Sequence, residues 1–561
     1  MNILIVYQIT ILMITLGLSC LAPSGVVHDV TAALVIDGKL RSAVSEDRFT
    51  GIKHHIGYPS LAIKSCLETE GLRLSDVDAV SVGYGLLRDK MNRQTISQFY
   101  SRAEKLKLFK ETPMRKKDPK FYDHEYIHAK TGYFFSGFKK AIVVSLDGGG
   151  VDNGKFVSGG IFVIDEGNLE IIRMYPLSAT IGWTYGAFTE ACGFRIADGE
   201  GKTMSLAAFA QNEDQEKKAK IYELTKKIFP KYDKIDYVGG GIEYPIWYEE
   251  HNEGFANFGD SRLISLADSF SKELIAWASQ RVLEETLVGI ISSAVEHTGI
   301  KNVILTGGVF FNMIANMVIR ENLEKMGCVI FINPICGDMG NAVGAALEDC
   351  YQETGKVESI EWPSLALGPE YDDEQIESSI SRTNLEYSKV DSVATAIDLI
   401  EKGKIIGWFQ GKSELGPRAL GNRSILSRVD SIQFKDMINE RVKHREPWRP
   451  FCPTIIDEKS DYYLENPTFA PYMILGFKLK HEESAPAVSH IDGTTRPQIL
   501  RRTYNEKFYD VVKGAGGILL NTSLNLAGDP LNASPDDALR TLKYSDMDAL
   551  IIGNFLVRRH H

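Results

Sequence analysis

A chain of 561 residues, 44% of them hydrophobic, is long enough to form at least two domains with separate cores. Its 74 acidic residues outnumber 63 lysines and arginines, and the net charge of −11 excludes a broad nucleic-acid-binding surface while allowing local basic pockets. Seven cysteines, scattered and without a C-x-x-C pair, exclude a disulfide framework and fit reduced thiols in a cytoplasmic protein.

Met1 to Leu21 is apolar but lacks a basic start and a small-residue cleavage site, so it reads poorly as a signal peptide. The run "ITLGLSC" (14–20) predicts the first core strand, with Met13 as the true start and residues 1–12 as an upstream extension. No later segment is apolar for long enough to span a membrane. "HDVTAALVIDGKLRSAVSED" (28–47) and "LDGGGVDNGKFVSGGIFVIDEGNLEIIR" (146–173) each predict a turn, a strand ending in Val-Ile-Asp, a glycine turn and a second strand. Such a repeat at long spacing points to a duplicated domain; two unrelated hairpins are the alternative.

"HEYIH" sets His124 and His128 four apart, on one face of a helix. That is a metal-ligand spacing, although such pairs also arise incidentally. Asp147, ending the strand "AIVVSLD" (141–147), and Asp338 in "CGDMG" follow apolar strands and sit in glycine turns. Active-site carboxylates collect at such places in α/β folds; solvated turn aspartates are the alternative. Two imidazoles with carboxylates suit Fe(II), Mn(II) or Zn(II).

A helix is predicted from about Leu263 to His297, then a buried strand "NVILTGGV" (302–309), a helix from Asn312 and a strand "CVIFINP" (328–334). This is the grammar of α/β nucleotide folds. The helix start after Gly307-Gly308 could hold a phosphate or ribose, though most such glycine pairs merely permit close packing. "WPSLALGPEYDDEQ" (362–375) marks a boundary. In "ELGPRALGNRSIL" (414–426), Pro417 predicts the first turn of a short helix ended by Gly421, and a strand follows from Ser424 to Val429. Arg418 and Arg423 then lie on tight turns, Arg423 as a brace through backbone carbonyls or a carboxylate. Residues 404–450 hold ten lysines and arginines against five acids, a basic island suited to an anionic small molecule. In "RVKHREPWRPFCPTI" (441–455) prolines 447, 450 and 453 predict a stiff extended path that fixes Arg445 and Arg449. Arginine forks bind phosphate or carboxylate at two points. "NTSLN" (521–525) offers amides and hydroxyls for a ligand, or equally for strand-ending turns.

With "EDRFTGIKHHIGYP" (46–59), "LTGGVFFNMIAN", "PICGDMGNAVGAAL", "GWFQGKSELGPRALGNRSIL", "INERVKHREPWRPFCPTI" and "LLNTSLNLAGDP", the chain resembles the O-carbamoyltransferase family of nodulation protein U and the cephamycin and tobramycin carbamoyltransferases, from about Met13 to the end. The resemblance implies an α/β fold with a duplicated actin/Hsp70/sugar-kinase-like domain over 13–358 and a YrdC-like domain over 366–559. It implies that the second domain makes carbamoyl adenylate from ATP and carbamoyl phosphate. The first would pass the carbamoyl group to a hydroxyl of a small-molecule or saccharide acceptor, releasing AMP and pyrophosphate. By resemblance, Arg418 and Arg449 serve the nucleotide and carbamoyl phosphate, helped by Arg496, Asn521 and Asn525. His124, His128, Asp147 and Asp338 hold Fe(II) or another divalent metal. Gly307, Gly308, Asn312 and Asn316 hold the adenosine part. His28 is the base, Lys53 balances charge, and Mg2+ accompanies ATP. No nucleic acid or membrane partner is implied, and a homodimer is compatible. Two departures bear on the acceptor pocket: "DGGGVDNG" stands where the family carries a shorter glycine turn, and "TMSLAAFA" after Gly199–Lys202 lacks the usual proline. The rival readings are a threonylcarbamoyl-type tRNA-modifying enzyme, an actin-like ATPase or sugar kinase, and a non-catalytic scaffold.

Overall fold

Short runs rich in β-branched and aliphatic residues build the first sheet. Ile14–Ser19 (β1) pairs antiparallel with Thr31–Ile36 (β2), which turns through Asp37-Gly38 into Lys39–Ser45 (β3). Ala79–Val82 (β4) and Lys120–Phe121 (β5) add in parallel beyond β1, giving the order β3-β2-β1-β4-β5. The computed structural model of the chain describes residues 13–20, 29–84, 119–242, 260–358 and 362–559.

The same order recurs. Lys140–Asp152 (β6), Lys155–Asp165 (β7) and Asn168–Pro176 (β8) form an antiparallel meander. Pro230–Asp233 (β9) and Asp236–Gly240 (β10) make a separate ribbon. Asn302–Thr306 (β11) and Val329–Ile332 (β12) then add in parallel beyond β6, so the sheet reads β8-β7-β6-β11-β12. The two hairpins legible in the sequence are thus equivalent pieces of one duplicated α/β unit.

Two helices fill the space between these sheets. Met339–Thr354 lies on β1, β2 and β4, His124–Ser136 lies on β6 and β11, and the two helices pack on each other. Their approach leaves no room for side chains at key points. A Cβ on Gly17 would stand 2.0 Å from the Ala342 carbonyl oxygen, and one on Gly344 would stand 2.0 Å from Thr131 Oγ1. The small residues of "GNAVGAAL" are therefore a packing requirement.

Three local expectations are corrected. The helix read over 263–297 is two helices, Ser261–Ser269 and Lys272–Thr298, because Phe270 is extended and Ser271 caps the second by accepting from Leu274 N–H at 3.3 Å. Asp147 does not end its strand: β6 continues to Asp152, and Asp147 sits in a bulge between Leu146 and Gly150. No helix forms between Pro417 and Gly421, and the strand that follows is Arg423–Ser427. Instead the buried carboxylate of Glu414 accepts the backbone N–H groups of Leu420, Asn422 and Arg423 at 2.7, 2.9 and 3.3 Å, which wraps the loop around it.

The C-terminal region is a mixed sheet of Glu386–Lys389 (β13), Ile406–Phe409 (β14), Arg423–Ser427 (β15), Cys452–Ile456 (β16), Gln498–Leu500 (β19), Ile518–Ser523 (β20), Ala549–Ile552 (β21) and Phe555–Arg558 (β22), with Phe477–Lys478 (β17) and Thr494–Thr495 (β18) as a small ribbon. Its order is β13-β22-β21-β14-β15-β20-β16-β19. Helices Ser392–Glu401 and Glu506–Gly514 cover an apolar patch of Trp408, Leu426, Leu519 and Ile551. Among the described residues, no helix is long and apolar enough to cross a membrane.

Candidate active site

The helix His124–Ser136 begins against the end of β6, where Asp152 accepts the free N–H groups of Glu125 and Tyr126 at 3.0 and 3.3 Å. That contact fixes the first turn, and with it both imidazoles. His124 Nε2 and His128 Nε2 stand 3.2 Å apart, each 3.2 Å from Asp147 Oδ2. Asp338 Oδ1, at the start of the neighbouring helix, lies 3.5 and 3.4 Å from the same two nitrogens. One ligand atom from each of the four residues falls within 4.8 Å of the others. Two imidazole nitrogens crowded against two carboxylate oxygens are the donor set of a divalent metal site.

The glycines around this cluster are there to let it close. A Cβ on Gly150 would lie 2.2 Å from the His124 ring, and one on Gly307, at φ 91°, would lie 2.1 Å from the Leu146 carbonyl oxygen. Asp147 Oδ1 accepts from Gly148 N–H at 2.7 Å and Gly308 N–H at 3.2 Å, which aims Oδ2 at the histidines. Burial works against a charged His128, but hydrogen bonds to Asp147 and Asp338 outweigh it and hold the ring up to about 10. Burial likewise opposes the Asp147 anion, and the two histidines overcome it, keeping the carboxyl well below its ordinary range. Asn341, one helical turn after Asp338, brings its Nδ2 to 3.3 Å from His128 Nε2; sequence reasoning missed it, although the i,i+3 spacing was visible.

A second cluster is predominantly basic, with Glu446 at its edge 3.7 Å from Arg449. Arg496 is 3% exposed, yet none of its three guanidinium nitrogens has a partner. Arg418 Nε is also buried without one. Burial pulls the Arg449 guanidinium below its ordinary value, Glu446 and Asp198 oppose that, and Arg418 adds to it, so these charges act on one another. Arg445 stacks on Phe451 with its Nε donating to Asn439 Oδ1 at 2.7 Å. Lys443 Nζ donates to Asn525 Oδ1 and to the Ser523 carbonyl, both at 2.5 Å, which ties the 441–455 stretch to "NTSLN". Burying several cations side by side with unpartnered donors is unfavourable for an empty protein and favourable for one that binds a polyanion.

Arg423 lies on the same loop and does something else. It is fully buried, stacks 3.6 Å over Phe409, and donates to the carbonyls of Gln410, Asn422 and Pro369 at 2.8, 3.2 and 3.1 Å. It braces the turn.

The two regions touch beside the second cluster. Arg48 reaches out of the first region and donates through Nη2 to the Gly416 carbonyl at 2.5 Å, two residues before Arg418. Lys202 pairs at 3.2 Å with Glu446, itself 3.7 Å from Arg449. Lys53 forms an ion pair with Asp198, and His54 and Lys53 together hold that carboxyl well below its ordinary range. Other sequence-derived residues are placed differently. Asn312 caps the helix Met313–Lys325, accepting from Ala315 N–H at 3.0 Å, and exchanges hydrogen bonds with Gln280. Asn316 Nδ2 donates to the carbonyls of Phe310 and Ile474, pinning the two regions together. His28 lies outside the described residues.

Two family models match the chain: "Carbamoyltransferase N-terminus" over residues 86–347 and "Carbamoyltransferase C-terminus" over residues 397–559. An uncharacterised protein of Methanocaldococcus jannaschii is 30% identical over 95% of this chain and 98% of its own length. Nodulation protein NolNO of Sinorhizobium fredii is 30% identical over 96% of this chain and 80% of that protein. The 3'-hydroxymethylcephem-O-carbamoyltransferase of Streptomyces clavuligerus is 30% identical over 41% of this chain and 44% of that enzyme. On these matches the chain belongs to the carbamoyltransferase family of enzymes.

Proposed function

We propose that the protein is an ATP-dependent O-carbamoyltransferase working in two steps at the two clusters. In the region 366–559, carbamoyl phosphate, ATP and one water give carbamoyl adenylate, phosphate and pyrophosphate. In the region 13–358, a hydroxyl of a small-molecule or saccharide acceptor attacks the carbamoyl carbon and AMP departs. The observation that carries this reading is the buried guanidinium of Arg496, none of whose three nitrogens has a partner, together with the unpartnered Nε of half-buried Arg418, in a loop cluster that meets the first region through Arg48 and Lys202.

Arg418, Arg449 and Arg496 neutralise phosphate charge as it shifts toward the leaving pyrophosphate, with Mg2+ accompanying ATP. Arg423 keeps the Arg418 loop in place. Contact between the two regions beside the arginines would shorten the path of a hydrolysable intermediate and limit its exposure to water. His124, His128, Asp147 and Asp338 fit a divalent cation by donor type and spacing, Fe(II) being the identity the family resemblance implies. Bound there, the cation would supply Lewis-acid polarisation of the carbamoyl carbonyl. Asp147, oriented by the N–H groups of Gly148 and Gly308, keeps its free oxygen toward that point. Lys53 offsets negative charge beside Asp198, and His28 takes the acceptor's proton. The setting is cytoplasmic, and the acceptor is not a nucleic acid.

Incubating the purified chain with ATP, labelled pyrophosphate and carbamoyl phosphate tests the first step. The reading expects label in ATP only when carbamoyl phosphate is present; ADP formation indifferent to it would point to a kinase-like ATPase instead. Screening hydroxylated extracts of the native cell for a mass gain of one carbamoyl group then identifies the acceptor.

A further inference from the structure

The two helices that bring His124, His128 and Asp338 together meet a second time, away from that cluster. Lys130 follows His128 on the first helix by two residues, about 200° round the axis, so its side chain leaves the cluster. Glu348 lies further along the second helix. Lys130 Nζ pairs with Glu348 Oε2 at 2.9 Å, and the two residues are 2% and 1% exposed.

The surroundings are fitted to this pair. Lys130 Nζ also donates to the Gly167 carbonyl at 2.8 Å, in the turn between β7 and β8. It stands 5.5, 5.7 and 5.4 Å from the ring centres of Tyr126, Phe134 and Tyr351, which stabilise an ammonium group. Glu348 Oε1 accepts from Tyr126 Oη at 2.5 Å and from Gln352 Nε2 at 2.9 Å. Both charges are thus partnered, as burying them requires.

A buried ion pair is a poor choice for stability alone, because well-packed apolar side chains of like volume hold two helices at least as firmly. What it adds is a single register. Apolar surfaces can slide, whereas one step of slippage here leaves two buried charges without partners. The helix contact needs such a stop, because its centre is smooth. Thr131 packs there against Gly340 and Gly344, with Oγ1 at 3.4 Å from the Gly340 carbonyl oxygen. Small residues allow the close approach without fixing how far one helix moves along the other. A shift of about half an ångström would already spoil the spacing of Asp338 to the two imidazoles.

We propose that the Lys130–Glu348 pair, supported by Tyr126 and Gln352, sets the register of the two helices and through it the spacing of the metal donors; this rests on reading His124, His128, Asp147 and Asp338 as a metal site. Lys130 and Glu348 are positioning residues: neither belongs to the donor set, and both act on it through the helix backbones.

Cobalt(II), titrated into the metal-free full chain, tests the point, because its visible bands report donor geometry as well as occupancy. The parent is expected to take up about one Co(II) per chain. Lys130→Met combined with Glu348→Gln removes both charges, nearly keeps the volumes and leaves Tyr126 an acceptor. Without metal, that double variant should melt within about 5 °C of the parent. It should nevertheless bind Co(II) at least about tenfold more weakly, with shifted bands. Lys130→Met alone strands a buried carboxylate and should lower both melting temperature and affinity. A folded double variant with the parent's Co(II) affinity and spectrum overturns the proposal and leaves the pair an ordinary core contact. If the double variant does not fold, Glu348→Gln alone decides, and unchanged affinity and bands there overturn it. A parent that takes up no Co(II) removes the metal reading itself, and the proposal with it.

Discussion

In the first region two imidazoles and two carboxylates converge within 4.8 Å. In the second, guanidinium groups converge instead, with Arg496 carrying three buried nitrogens that meet no acceptor. The first is built on rigid elements: a helix start, a strand bulge and a second helix start, closed by glycines that admit no Cβ. The second is built on loops held from beneath by a buried carboxylate, Glu414, and by a brace, Arg423. On the proposed reading the first region's mixed donors hold a metal cation and the second region's guanidinium groups hold a polyanion. The scaffold differs accordingly. A metal site needs donors fixed to a few tenths of an ångström, while a phosphate pocket tolerates longer arms that fold onto the ligand.

The largest effect that would break this contrast is on the arginine side. Arg496→Met keeps the volume and removes the charge, and should lower carbamoyl-phosphate-dependent pyrophosphate exchange by roughly a thousandfold. Initial rates, with circular dichroism to confirm the fold, check it; a loss under about tenfold would make Arg496 a structural arginine. On the histidine side, His128→Ala should drop bound transition metal from about one per chain to under about a tenth, read by elemental analysis of the purified variant. Between the two, Arg48→Met cuts the contact to Gly416. It should raise AMP released per carbamoylated product by about tenfold as the intermediate reaches water, measured by paired chromatography of nucleotide and product.

The smallest effect concerns stability alone. Burial pushes Glu284 up to about 7, even though Gln280 donates to it at 2.8 Å. Between the ordinary glutamate range and that value, the folded chain keeps a proton that the unfolded chain has lost. Stability therefore falls as pH rises through that window and stays lower above it. Glu284→Gln should flatten this slope and melt higher than the parent above pH ~7, by about 1–3 kcal/mol, in thermal scans across pH.

The histidine–aspartate set was legible because its signals are local: an i,i+4 pair, and acids in glycine turns after apolar strands. The duplicated sheet was legible for the same reason, through two hairpins with the same ending. What sequence could not supply was pairing across the fold. Arg423 was read as a brace through backbone carbonyls or a carboxylate, and it donates to the carbonyls of Gln410 and Pro369; its stacking on the Phe409 ring, which comes from a neighbouring strand, was not legible. Asn312 and Asn316 follow a Gly-Gly strand end, where a capping amide and a ligand amide give the same pattern; their partners are Ala315, Gln280, Phe310 and Ile474. The short helix expected at Pro417 fails because a buried carboxylate competes for the same N–H groups, and burial of Glu414 is a property of the tertiary structure. Asn521 was read as one amide among several, since its orientation depends on two neighbouring strands.

The most direct test of the division of labour is pyrophosphate exchange measured side by side in His128→Ala and Arg449→Ala. The account predicts that His128→Ala exchanges within about threefold of the parent and that Arg449→Ala falls by at least about a hundredfold. Equal losses in both variants would contradict it, since the two clusters would then serve a single step.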